Sequence, residues 1–185
     1  MKATGIVRRI DDLGRVVIPK EIRRTMRIRE GDPLEIYTDR EGEVIFKKYS
    51  PIGELSSFAA QYAETLYKTC HLSVIICDRD AVIASAGVSR KEYNERPLSD
   101  ELERVMEGRG MYTRREGGDE ISPLAERTGH VVSCAMPIVS EGDVVGCIAS
   151  LVEEGSERTR EANAAEIEAK LILTAAGFLG KQMES

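Results

Sequence analysis

Arg8, Arg9, Arg15, Arg23 and Arg24 are gathered near the start of the chain. A guanidinium is a planar fork of donors, charged at any cellular pH, that fits two phosphate oxygens or the edge of a guanine. Chemistry alone leaves two readings open: a nucleic-acid surface, or a solvated face paired with Asp11, Asp12 and Glu21. Other reactive side chains are fewer. His130 and Cys134 stand four apart in an apolar run, so a regular strand would place them on one face as a thiol–imidazole pair. No third residue is apparent to orient that pair, and no catalytic residue is assigned. Cys70, Cys77, Cys134 and Cys147 form no C-x-x-C, and three of them lie in apolar runs, which fits buried free thiols in a reducing compartment. His71 and His130 lack ligand spacing, so no metal site is expected. Glycine-rich phosphate loops are absent from the sequence, and no cofactor is expected.

Average composition opposes a nucleic-acid role. The 185 residues carry 26 Lys and Arg against 32 Asp and Glu, a net charge of -6 and a pI near 5.2. The charge is divided unevenly, however. Residues 1–50 hold 12 basic and 9 acidic side chains, and residues 51–185 hold 14 and 23. Within residues 1–29 the ratio is 9 to 3. A basic head on an acidic body points to a polyanion-binding module joined to something else. At 42% hydrophobic and 31% charged the chain is globular, and at 5% aromatic, with no Trp, it is poorly equipped to stack on bases. Apolar stretches at 131–139 and 144–152 fall well short of the ~20 residues of a membrane span. The N-terminus has no apolar export segment, so a cytoplasmic location without membrane contact is expected.

The arginines need elements to hold them. Residues 4–10 and 15–18 read as strands around an Asp11-Asp12-Leu13-Gly14 turn, and Pro19 opens a short helix over 20–26. Strands over 34–38 and 43–49 follow as a hairpin. Fifty residues bury too little surface to stand alone comfortably, so a second copy is the natural remedy. Ser50-Pro51 marks the boundary of the body. Ile52, Leu55, Ala59, Tyr62 and Leu66 form a coiled-coil-like seam, and strands over 73–78 and 81–85 come next. Ser99 caps a helix that ends at Gly108. Loop material over 109–129 includes a short strand at 111–113 and a glycine-rich segment, Gly117-Gly118-Asp119-Glu120, read as a mobile loop. A strong hairpin spans 131–139 and 144–152. The last helix, over 157–183, carries Ala164, Ile167, Leu171, Thr174 and Phe178 on one seam. Both helical seams are expected to pair between subunits.

The order of residues in the head carries more than its charge. Thr4-Gly5-Ile6-Val7-Arg8, Leu13-Gly14-Arg15-Val16-Val17-Ile18-Pro19, Glu21-Ile22-Arg23-Arg24-Thr25 and Leu34-Glu35-Ile36-Tyr37 closely resemble the DNA-binding head of the AbrB family of bacterial transition-state regulators. The resemblance implies a swapped-hairpin β-barrel dimer whose double-stranded DNA contacts are Arg8, Arg15, Arg23 and Arg24. Ile76-Cys77-Asp78-Arg79-Asp80, Ala175-Ala176-Gly177-Phe178-Leu179 and Gln182-Met183-Glu184 are similar to family members with a further C-terminal domain, and residues 86–150 diverge more. That similarity implies a GAF-type body, an antiparallel sheet flanked by long helices, which joins dimers into tetramers.

The chain is therefore read as α+β, with residues 1–50 a DNA-binding domain and residues 51–185 a GAF-like domain for assembly and candidate small-molecule sensing. The resemblance implies a transcriptional regulator of sporulation (forespore) genes, acting as activator, repressor or both. The alternative is the antitoxin of a toxin–antitoxin pair, which uses the same kind of head. Ligand-binding residues are not assigned.

Overall fold

In this computed structural model, residues 5–115, 117–156 and 162–184 are described. The chain divides into two compact units, Met1–Tyr49 and Ser50–Ser185.

In the first unit, Pro19 (φ -57°) leads into α1 (Lys20–Thr25), a helix with no buried residue of its own. Strands β1 (Leu34–Thr38) and β2 (Val44–Lys48) pair antiparallel, with Leu34 opposite Lys48 and Thr38 opposite Val44. The connection closes on Asp39, whose Oδ1 accepts from the N–H groups of Glu41 and Glu43, both at 2.9 Å. The expected strands over 4–10 and 15–18 are not strands in this chain; Thr4 lies outside the described residues. A strand exists through its ladder, and the backbone bonds here only close the turn: Asp11 N–H to the Arg15 carbonyl and Gly14 N–H to the Asp11 carbonyl. The β-branched side chains meant for a core are consequently exposed, Val7 at 91% and Val17 at 73%.

The body opens with α2 (Pro51–Glu54) and α3 (Ser56–Cys70), capped at Ser50, whose Oγ accepts from Gly53 N–H. Strands β3 (Ser73–Cys77) and β4 (Val82–Ala86) precede α4 (Arg90–Tyr93) and α5 (Asp100–Glu107). Ser99 caps α5 as expected, its Oγ accepting from Leu102 N–H at 3.1 Å. Then come β5 (Tyr112–Thr113), β6 (His130–Ser140), β7 (Asp143–Glu153) and α6 (Ala162–Gln182). The first part of the expected last helix, residues 157–161, lies outside the described residues. The sheet order is β4-β3-β7-β6-β5 and every pairing is antiparallel. β6 and β7 reverse through Glu141 and Gly142, both at positive φ (50° and 89°), the backbone a two-residue hairpin turn requires.

Both faces of this sheet are covered, so β3 is apolar along nearly its whole length. Val74 and Ile76 point to a layer of Ile52, Ala59, Ala63 and Leu66 from the first helices and Ile172, Ala175, Ala176 and Leu179 from α6. Ile75 and Cys77 point the other way, to Tyr93, Leu98, Leu102 and Met106. This arrangement corrects the expectation of pairing between subunits for the first helical seam. Ile52, Ala59 and Leu66 pack on their own sheet. Of the seam expected on α6, Ile167 is 58% exposed, whereas Leu171 packs at the edge of this layer and Phe178 stacks on Tyr62 of α3.

Candidate nucleic-acid interface and body cleft

A five-residue turn governs the presentation of Arg15. Gly14 sits at φ 77°, where a residue with a Cβ is strained. Asp11 closes the turn: its Oδ1 accepts from Leu13 N–H at 3.0 Å and Arg15 N–H at 2.7 Å, and its Oδ2 accepts from Arg15 Nε at 2.8 Å. Those bonds, with the Arg15 backbone N–H foremost, hold the Asp11 carboxyl below the usual carboxylate range. Arg8 and Arg15 flank this turn and are exposed. Arg23 and Arg24 sit in the last turn of α1, where cations favour the helix dipole. Arg24 is exposed and Arg23 half-buried, and Arg23 Nε is shielded from solvent with no acceptor among the described residues. No side-chain hydrogen bond or ion pair among the described residues consumes Arg8, Arg23 or Arg24. Asp12 and Glu21 make no ion pair with them either, so Asp11 alone realises the charge pairing that the solvated-face reading requires.

The body holds a cleft of about 360 Å³ lined by Glu92, Arg96, Pro97, Leu124, Arg127 and Thr128, with Glu126. Behind it, the Tyr93 hydroxyl contacts Thr128 Oγ1 at 2.5 Å and His130 Nδ1 at 3.0 Å. Burial pushes the Tyr93 phenol above its ordinary range. Sequence reasoning assigned no residue to this cleft, because its lining comes from the end of α4 with the segment after it and from residues 124–128, which meet through contacts such as the isolated bridge Leu98–Leu124. The glycine-rich 117–120 segment contributes nothing to its lining; Glu120 there pairs with Arg114.

The expected His130–Cys134 pair is also corrected. The β6–β7 register shifts between Val132 and Cys134, a bulge that puts one extra residue into β6. Val132 therefore faces the Tyr93 layer and Cys134 the α6 layer. A one-residue slip inverts the alternation, and His130 and Cys134 end on opposite faces.

Comparison with known proteins places both units. A family described as Stage V sporulation protein T C-terminal, transcription factor, matches residues 54–184. A second, described as antidote-toxin recognition MazE, bacterial antitoxin, matches residues 7–53. The chain is similar to Stage V sporulation protein T of Bacillus subtilis (strain 168), 50% identical over 192 residues that cover 100% of this chain and 99% of that one. It is 65% identical over 51 residues to the Transition state regulatory protein AbrB of the same organism, covering 28% of this chain and 52% of AbrB. In fold, the body is similar to the gaf domain of A. Aeolicus nlh2, solved in an inactive state, with a TM-score of 0.52 at 16% identity over 68% of this chain and 82% of that one. No helix among the described residues is long and apolar enough to cross a membrane.

Proposed function

The chain belongs to the stage V sporulation protein T family, and on that premise we propose that it regulates sporulation genes by holding duplex DNA with Arg8, Arg15, Arg23 and Arg24 of its head. It is a DNA-binding transcription regulator, and we propose the four contacts, the assembly and the cytoplasmic setting with it. The observation that carries it is the pairing of an AbrB-like head with a body matched by a transcription-factor family. The antitoxin reading is weaker, because the antitoxin-family match ends at residue 53 whereas the folded body continues beyond it. Three further features support the arginine assignment. Arg8, Arg15 and Arg24 are exposed, the turn presents Arg15 in one orientation, and Arg23 keeps a shielded donor that an acceptor outside the chain would satisfy. The exposed apolar side chains of residues 6–17 support a head dimer, and the exposed Ile167 and Leu173 of α6 support joining of dimers through the body. The cleft beside Arg96 and Arg127 is the candidate seat for a small molecule.

The test is DNA binding by the full chain and by a variant with all four arginines changed to Ala, each over a range of salt. Every arginine that neutralises a phosphate steepens the slope of log K against log salt by ~0.9, so each removal should flatten it by that amount, and a dimer carries each arginine twice. A folded quadruple variant with unchanged affinity overturns the assignment.

A further inference from the structure

An isolated exposed ion pair does little, since two long side chains must be stilled for a screened attraction. Asp11 and Arg15 are a different case. Two backbone N–H groups already fix the Asp11 carboxylate, and both belong to the same turn, so only Arg15 remains to be held. The carboxylate takes Arg15 through Nε, the inner donor of the guanidinium. That choice orients the plane of the group and leaves Nη1 and Nη2 without a partner among the described residues, on a side chain 70% exposed. A guanidinium fixed by its Nε and open at its Nη pair can give two parallel hydrogen bonds to one phosphate without first being ordered.

We propose that Asp11 is a positioning residue for DNA binding, acting through Arg15 by holding its guanidinium ready for a phosphate. The proposal rests on the reading of Arg15 as a DNA contact. It also has a sign that simple electrostatics does not give. A carboxylate beside a polyanion is repulsive, so by charge alone Asp11→Asn should tighten binding. If positioning outweighs repulsion, the same change weakens it. The Nδ2 of Asn offers Arg15 Nε a donor where it needs an acceptor, while Oδ1 can still serve the turn.

The experiment measures affinity of the full chain for one DNA duplex with the parent, D11N, R15A and the D11N/R15A double variant, folding being checked by thermal melting. We expect D11N to weaken binding by about five- to tenfold, within what a charge-assisted contact in two heads supplies. In the R15A background D11N should cost nothing further. D11N binding as tightly as the parent or tighter, with R15A weakened, overturns the positioning role and leaves the arginine assignment standing. Equal weakening by D11N in both backgrounds also overturns it, since a merely structural role would act without Arg15. R15A binding like the parent removes the underlying reading instead. Should D11N fail to fold, Asp11→Ser, which keeps an oxygen for the turn N–H groups, takes its place in the same cycle. In the parent, the Arg15 Nε–H resonance should exchange with water more slowly than that of Arg8 or Arg24; equal exchange refutes the held guanidinium with no variant needed.

Discussion

Cys77 and Cys147 stand opposite each other on β3 and β7, both fully buried, with the Cys77 thiol donating to the Cys147 carbonyl at 3.2 Å. The neighbouring Cys147 thiol, and then burial, push the Cys77 thiol well above its ordinary value of 9.0. The folded chain therefore keeps a proton that the unfolded chain gives up in alkali. Stability from this group is complete below the unfolded thiol pKa and falls as pH rises past it. One such proton is worth up to about 1.4 kcal/mol per pH unit. The melting temperature should decline above about pH 9, and Cys77→Ala, less stable at neutral pH because of the cavity it leaves, should decline less steeply. Tyr62 and Tyr93, both raised by burial, continue the trend at higher pH. A melting temperature that stays flat through this range refutes the account. At this scale the arginines and the Asp11 turn were legible in the sequence, because charge and turn chemistry belong to residue type. The separation of His130 from Cys134 was not, because a bulge is a property of two strands.

Two glycines three residues apart on α6 should respond oppositely to the same change. A Cβ at Gly180 would lie 2.2 Å from the Val139 carbonyl oxygen, whereas one at Gly177 meets nothing within 4 Å. Gly180→Ala must push α6 off β6 and should cost about 1–3 kcal/mol. Gly177→Ala removes backbone entropy from the unfolded chain and should gain about 0.4–1 kcal/mol. Urea midpoints of the two variants decide the matter; equal shifts would mean that α6 does not sit this close to β6. Elements with a strict period were readable in advance: the 34–38 and 44–48 hairpin, the Ser99-capped helix, and the long hairpin with Glu141-Gly142 at its turn. The face of α6 that meets its own sheet was not readable. The helix carries two apolar stripes, and the one against the sheet is Ile172, Ala175, Ala176 and Leu179 rather than the stripe containing Ile167 and Phe178. Period alone cannot choose between neighbouring stripes; the sheet they meet does.

For the whole molecule, the exposed apolar residues of α6 bear on assembly. Ile167, on the expected seam, and Leu173, on another side of the helix, are 58% and 47% exposed, and neither belongs to the helix–sheet layer. In the proposed tetramer, changing both to Glu should leave the body folded but shift sedimentation towards dimer. DNA affinity should drop with it, since two joined heads gain up to ~10²–10⁴ when both reach one duplex. Unchanged sedimentation places the dimer-to-dimer contact elsewhere. The sequence by itself determined the division into a basic head and an acidic body, the α+β class, the arginine cluster and the likeness of the head to AbrB, because each is written in composition, period or local order. Tertiary structure alone decided which face of α6 is buried, where β6 bulges, and that residues 92–97 and 124–128 close around a cleft. It also showed that residues 5–10 and 15–18 form no ladder within one chain. Each of these depends on which surfaces meet across long sequence separations, and a hydrogen-bond ladder or a packed face is a property of two partners.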